Sequence, residues 1–404
     1  MFNHLKSPGV MAIVLAAAGI LMVTNGIRLS MGLFMSPINT ATGLGLVTLS
    51  LALAIGQFVW GAAQPVAGAL ADRFGPRPVL IGGALLMVVA IFSTPFMSSG
   101  FGLVVTLGVL SAAGAGAASF SVLIGAAAQR LPADARGDAS GVINAGGSLG
   151  QFVFAPLAQK LIQLLGWMGA MWALAALTLA TLPMVHKLTR GGPSAHAVTG
   201  ADVGLRQSIR DAFATPSYVL LHAGFFTCGF HIAFLVTHLP GEVDLCGLPP
   251  SVASWSLAII GLTNIAGSLY AGSCVGRYRG KHVLAWMYGS RAALVALYLL
   301  SPKTPLTFYL FAAGLGFTWL ATVPPTAAIV GKLFGTRHLG TLFGLTLLSH
   351  QVGGFLGAWL GGLAVTQLGS YDWMWWADMV LAAFAALVNL PIREAPVTPR
   401  PAAA

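Results

Sequence analysis

Charge is what this chain has least of. Of its 404 residues, 7% are Asp, Glu, Lys or Arg, and only 10 are acidic. A soluble globular protein carries about 25% charged residues, so the composition excludes a water-soluble domain of this length. Cysteine is scarce too. Cys228, Cys246 and Cys274 are odd in number and lack metal-ligand spacing, which argues against both a disulfide framework and a metal site. No cofactor and no enzymatic chemistry are expected.

What fills the chain instead is apolar sequence, 57% of all residues. About 20 consecutive apolar residues cross a bilayer, and twelve such segments can be placed: 10–36, 46–71, 78–98, 102–128, 138–164, 167–186, 216–240, 252–275, 282–300, 305–331, 339–367 and 373–392. The fold class is therefore an all-α membrane protein, with the lipid bilayer as its solvent. The first segment follows His4 and Lys6 as a signal peptide would. It is too long for a cleaved apolar region, however, and more spans follow it.

The formal net charge is +10. Nucleic acid is not the expected partner, because the basic residues lie between the apolar segments, where topology accounts for them. With a cytoplasmic N-terminus, one side of the membrane collects Arg73, Arg77, Arg130, Arg136, Lys187, Arg190, Arg206, Arg210, Arg277, Arg279, Lys281, Lys332, Arg337 and Arg393, together with Lys6 and Arg400. The other side receives Lys160 and Lys303. Both termini are thus expected in the cytoplasm of a bacterium, with the chain in its inner membrane.

The two halves repeat. Laying Gly26-Ile-Arg28 over Gly229-Phe-His231 also brings Pro37 onto Pro240, Gly150 onto Gly353 and Gly166 onto Gly369. A parallel repeat of six helices is the layout of major facilitator transporters. The expected organisation is two pseudo-symmetric six-helix bundles, 1–186 and 216–392. A polar linker over 187–215 joins them, and a Pro/Ala-rich disordered tail follows over 393–404. A monomer is expected.

Gly68-Ala-Leu-Ala-Asp72-Arg73-Phe-Gly75-Pro-Arg77, between the second and third spans, resembles the signature loop of the major facilitator superfamily. Asp72 is expected to cap and to pair with neighbouring basic groups, as a latch between conformations. In the second half Gly276 stands where the family usually has Asp, before Arg277, so the latch should be asymmetric.

Arg28 lies inside the first span. A guanidinium there costs roughly 2.5–3.5 kcal/mol on insertion scales, so it needs a partner. Nearly all ten acids lie in loops or at span ends; Asp378 alone lies within a span, in a twelfth helix expected to be peripheral. Arg28 is therefore expected to await an anion, for which its planar fork of donors fits a carboxylate. His231, its repeat equivalent, is expected to donate to the same substrate or to carry a proton. Asn25, Asn144, Ser119, Thr322, His350 and Gln351 complete the expected substrate site, with Ser121, Thr326, Asn264 and Trp319 as further wall. Arg291 is expected to be structural, and the glycines around Asn144 and Gln351 to serve helix packing.

Within the superfamily, the Arg28 stretch, Ala118-Ser-Phe-Ser121 and Leu348-Ser-His-Gln351 are most similar to the bacterial branch related to monocarboxylate and oxalate/formate transporters. That resemblance implies alternating-access transport of a small organic anion, with protons as a possible second partner. Such carriers typically use an Arg in helix 8, often beside an Asp. Here 252–275 holds neither, which would move the anion-binding role to Arg28. Drug efflux and a non-transporting sensor are the competing readings.

Overall fold

The structure, a computed structural model, describes residues 7–191 and 204–397. The centre of the expected linker (192–203) and the end of the expected tail (398–404) lie outside the described residues.

The described residues are mostly helical. α1 is Pro8–Ser30, α2 Leu46–Phe74, α3 Pro76–Ser93, α4 the interrupted run Gly100–Ala128, α5 residues 136–165 and α6 residues 167–189 with a turn at 179–180. The second half repeats this: α7 Pro216–Leu245, α8 Pro250–Val275, α9 Gly280–Leu300, α10 in two parts (Pro305–Thr318 and Val323–Phe334), α11 Leu339–Leu368 and α12 Asp372–Asn389. α1, α3, α7, α8 and α10 each begin at a proline. A proline's missing N–H is harmless in the first turn, and its fixed φ suits helix entry.

Among the described residues, ten helical runs are long and apolar enough to cross a membrane. The other two expected spans, 138–164 and 373–392, also fall on helix, in α5 and α12. Many large apolar side chains point outward from these helices, including Phe92, Trp286, Leu297 and Leu310. Exposed patches of that kind need an apolar environment.

The internal repeat is conformational as well as sequential. Gly166 ends α5 and Gly369 ends α11, and both have φ 68°. A side chain at that φ is strained by about 1–2 kcal/mol, so glycine serves both corners. α1 packs on α5 through glycine, where a Cβ at Gly150 would fall 2.1 Å from the Met22 carbonyl oxygen. α7 packs on α11 in the equivalent way, with a Cβ at Gly353 falling 2.0 Å from the Phe226 carbonyl oxygen. Close backbone approach through small residues is how membrane helices associate.

Two seams join the halves. Along the first, α2 meets α11 at Gly61 against Gln351, Pro65 against Gly344, and Gly68 against Gly340. Along the second, α5 meets α8 where Gly137 and Gly141 abut Gly272. The start of the expected tail is not loose. Arg393 N–H donates to Ser217, Glu394 bonds Lys281 N–H and Lys332, and Val397 N–H donates to the Leu333 carbonyl. The expectation of disorder therefore fails for residues 393–397, because their polar groups find partners on α7, α9 and α10.

Candidate functional site

α4 and α10 both break in mid-course, and the breaks are repeat equivalents. In α4, Ala118 and Ser119 leave helical geometry. In α10, the helix stops at Thr318 and restarts at Val323, immediately before Pro324-Pro325. Each break frees backbone groups that must be satisfied inside the bundle. Thr24 of α1 donates to the Ala118 carbonyl at 3.1 Å, and Ser119 donates to Gln64 Oε1 at 2.8 Å. On the other side, Cys228 of α7 lies 3.4 Å from the Thr322 hydroxyl. Arg291 of α9 donates to the Thr318 and Trp319 carbonyls at 2.6 and 3.1 Å.

Arg28 sits on α1, facing α2. It donates to Gln57 Oε1 at 2.7 Å and to Asn25 Oδ1 at 3.2 Å. Its guanidinium lies 4.1 Å from the centre of the Trp60 ring. Its Nε–H is buried and has no partner, and among the described residues Arg28 makes no ion pair. Neutral amides and an aromatic face hold the cation in place without cancelling its charge. Gln57, Trp60 and Gln64 were not singled out from sequence, although their spacing of three and four residues puts them on one face of a helix. Across the seam from that face, Gln351 packs against Gly61 and donates to His350 Nδ1 at 2.8 Å, with both side chains buried.

The structure joins Arg28 to Asn25 on α1, bonds Ser119 to Gln64 of α2, and puts His350 and Gln351 on α11, which packs against α2. Other expected site residues stand elsewhere. Asn144 donates to Ser268 Oγ at 2.8 Å and to the Leu320 carbonyl at 2.7 Å, so both its amide hydrogens are spent joining the halves. Asn264 likewise reaches Ser148 Oγ at 2.6 Å. Thr322, against Cys228, belongs to the α10 break. His231 is fully buried, and its Nδ1 is hydrogen-bonded to Asp378, itself fully buried. α12 turns Asp378 inward onto α7, where it meets His231 and not Arg28. The Nδ1 of His231 is thus taken by Asp378, while its Nε2 is buried without a partner among the described residues.

Among the described residues no ion pair joins Asp72 to Arg73 or Arg77, although His338 lies near enough to attract its carboxylate. Its carboxylate accepts the Thr341 N–H at 3.0 Å and the Thr341 hydroxyl at 2.7 Å. Thr341 lies in the first turn of α11, where unpaired N–H groups and the helix dipole favour an anion. Asp72 thus caps a helix of the other half. Gly68 is tight against Gly340 beside it, and Gly75 (φ 85°) turns the chain into α3. Arg73 and Arg77 are exposed, Arg73 lying 5.0 Å from the Phe74 ring centre.

A cavity of roughly 480 Å³ lies between the seams, lined by Ser140, Arg277, Lys332 and others. Its charges are mixed, since Asp134 and Asp138 face Arg136 and Arg277. It has the volume for a small solute but not the unopposed charge of Arg28. Arg28 is not among its lining residues.

The Major Facilitator Superfamily model matches residues 10–249 and again 243–404. The chain is 27% identical over 358 residues to monocarboxylate transporter 13 of Rattus norvegicus, covering 85% of this chain and 78% of the relative. It is 26% identical over 361 residues to the oxalate:formate antiporter of Oxalobacter formigenes, covering 87% and 84%. Its fold is similar to that of the proton:xylose symporter XylE bound to 6-bromo-6-deoxy-D-glucose, with a TM-score of 0.75, 13% identity and 95% of each chain covered. Relatives of this kind are transporters, not enzymes.

Proposed function

The chain belongs to the major facilitator superfamily, and from that premise we propose that it carries a small organic anion of the monocarboxylate kind across the bacterial inner membrane by alternating access. The observation that carries this reading is Arg28, a cation set in an apolar span among neutral acceptors. Its free Nε–H and remaining Nη–H groups form the edge that a carboxylate engages bidentately. An anion arriving there removes an uncompensated charge from a low-dielectric interior, where such charges are most expensive. Asn25, Gln57 and Trp60 aim the guanidinium, while Ser119, His350 and Gln351 line the approach. The two relatives whose names include a monocarboxylate, or oxalate and formate, support the same substrate class.

The halves 1–186 and 216–392, joined through 187–215, rock about this site as a monomer. Both termini face the cytoplasm. On that side the Asp72 cap on α11 and the glycine contacts of α5 with α8 hold the halves together. Uptake of labelled formate, oxalate and lactate into proteoliposomes tests the reading. At least one should enter saturably with the wild type. Transport of none of them would contradict it.

A further inference from the structure

Three ionisable side chains that the anion site does not use lie fully buried in the second half: His231 on α7, Arg291 on α9 and Asp378 on α12. His231 and Asp378 are hydrogen-bonded. The His231 ring packs edge-on to Trp319 at 5.9 Å, and Arg291 is bonded to the carbonyl of that same Trp319 at 3.1 Å. Around them stand Tyr288 on α9, Thr322 on α10, His350 on α11 and Cys228 on α7 itself. α8 carries no charged residue. His231 Nε2, Asp378 Oδ1 and Arg291 Nε are all buried without a partner among the described residues.

We propose that the His231–Asp378 pair is a proton-binding site, through which the chain moves a proton together with its anion. This rests on the reading of Arg28 as the anion site. The charge count explains why a proton belongs here. With His231 neutral, the Asp378 carboxylate balances the Arg291 guanidinium. Adding a proton gives an imidazolium–carboxylate pair and leaves the cluster one positive charge in excess. An excess charge buried in low dielectric is costly unless compensated, and a bound carboxylate is such a compensation. The free lone pair on Asp378 Oδ1 and the unpaired Nε2 of His231 are the positions from which a proton enters or leaves.

The pair also has a mechanical outlet. Arg291 holds the Thr318 and Trp319 carbonyls at the α10 break. The next residue, Leu320, donates its N–H to Asn264, and its carbonyl accepts from Asn144 of the other half. A change in charge at His231–Asp378 therefore acts on the segment that is bonded across the seam. Coupling needs an element with two arrangements that both sites bias, and this broken helix is that element.

The test has two arms. Infrared difference spectra of the purified protein between pH 5 and pH 9, with uniformly labelled histidine, need no substrate. The wild type should show a coupled histidine and carboxyl signal that disappears in Asp378→Asn and in His231→Gln. Its absence from the wild type would overturn the proposal, whether or not the variants fold.

The second arm uses proteoliposomes and labelled oxalate, with protein-free vesicles subtracted. One proton carried per oxalate corresponds, with the membrane potential clamped at zero, to about tenfold accumulation for each unit of inside-alkaline gradient. The double variant His231→Gln/Asp378→Asn, which can keep a neutral hydrogen bond, should still exchange oxalate but no longer accumulate it. Gradient-driven accumulation by that variant would overturn the proposal. Failure of the wild type to move oxalate, formate or lactate would instead fall on the Arg28 reading, with the spectra still deciding the proton site.

Discussion

Asp72 of α2 and Thr341 of α11 join the two halves through one carboxylate, which takes both the backbone N–H and the hydroxyl of the threonine. A charge at a helix N-terminus contributes about 0.3–1 kcal/mol, rising to about 2 kcal/mol where partly buried. Asp72→Asn keeps the shape and loses the charge. It should move the balance of conformations about two- to thirtyfold toward the state in which this seam is open. Spin labels on the α2–α3 and α10–α11 loops would measure the shift as a longer distance distribution. An unchanged distribution would remove Asp72 from the gate.

Trp60 should tune the affinity for the anion without abolishing transport. A cation over an aromatic face gains about 0.5–2 kcal/mol, and here it fixes the plane of the Arg28 fork. Trp60→Leu should raise the half-saturation concentration for a carboxylate by about two- to thirtyfold, with Trp60→Phe in between. The check is saturation kinetics in proteoliposomes.

The strap at 393–397 should release in acid. Burial pushes the Glu394 carboxyl up, but the Lys281 N–H and the Lys332 ammonium outweigh it and hold the group below the usual carboxylate range. A carboxyl with a lowered folded value stabilises its contact above its unfolded value of about 4.3 and loses that contribution as pH falls through the folded one. Cleavage by an acid-active protease near 393–397 should therefore accelerate below that window. Glu394→Gln should be cleaved faster already at neutral pH. Equal rates for the two proteins would show that the strap is held by something else.

Asn144 should matter for joining the halves rather than for affinity. Removing its amide leaves the Ser268 hydroxyl and the Leu320 carbonyl short of a donor, at about 1–3 kcal/mol for a buried group. Asn144→Ala should lower the thermal unfolding midpoint in detergent by several degrees while leaving the half-saturation concentration near that of the wild type. A large rise in that concentration would return Asn144 to the substrate site.

Much of this molecule was legible in its sequence because membrane constraints are severe. The scarcity of charge and the length of the apolar runs gave the helices, and the 203-residue offset gave the two halves down to the paired corners at Gly166 and Gly369. Arg28 stood out because a cation in an apolar span is rarely idle. What stayed hidden depends on helix rotation. Asp378 read only as a poor partner for Arg28, and its bond to His231 stayed hidden because hydropathy does not say which face of α12 meets α7. Asn144 read as a cavity residue because a buried amide looks the same in sequence whether it meets solute or a partner helix. Gln57 and Trp60 were visible as a face of α2, but only their distance to Arg28 gives them a role.

The central claim is that Arg28 is the anion's counter-charge. Initial rates of carboxylate uptake into proteoliposomes, wild type against Arg28→Ala and Arg28→Lys, test it most directly. Loss of a charge-assisted contact of about 1.5–3 kcal/mol predicts a fall of about ten- to a hundredfold or more for the alanine variant. The lysine variant should retain part of the rate, because it keeps the charge and loses the fork. Uptake by Arg28→Ala at the wild-type rate and half-saturation concentration would contradict the account.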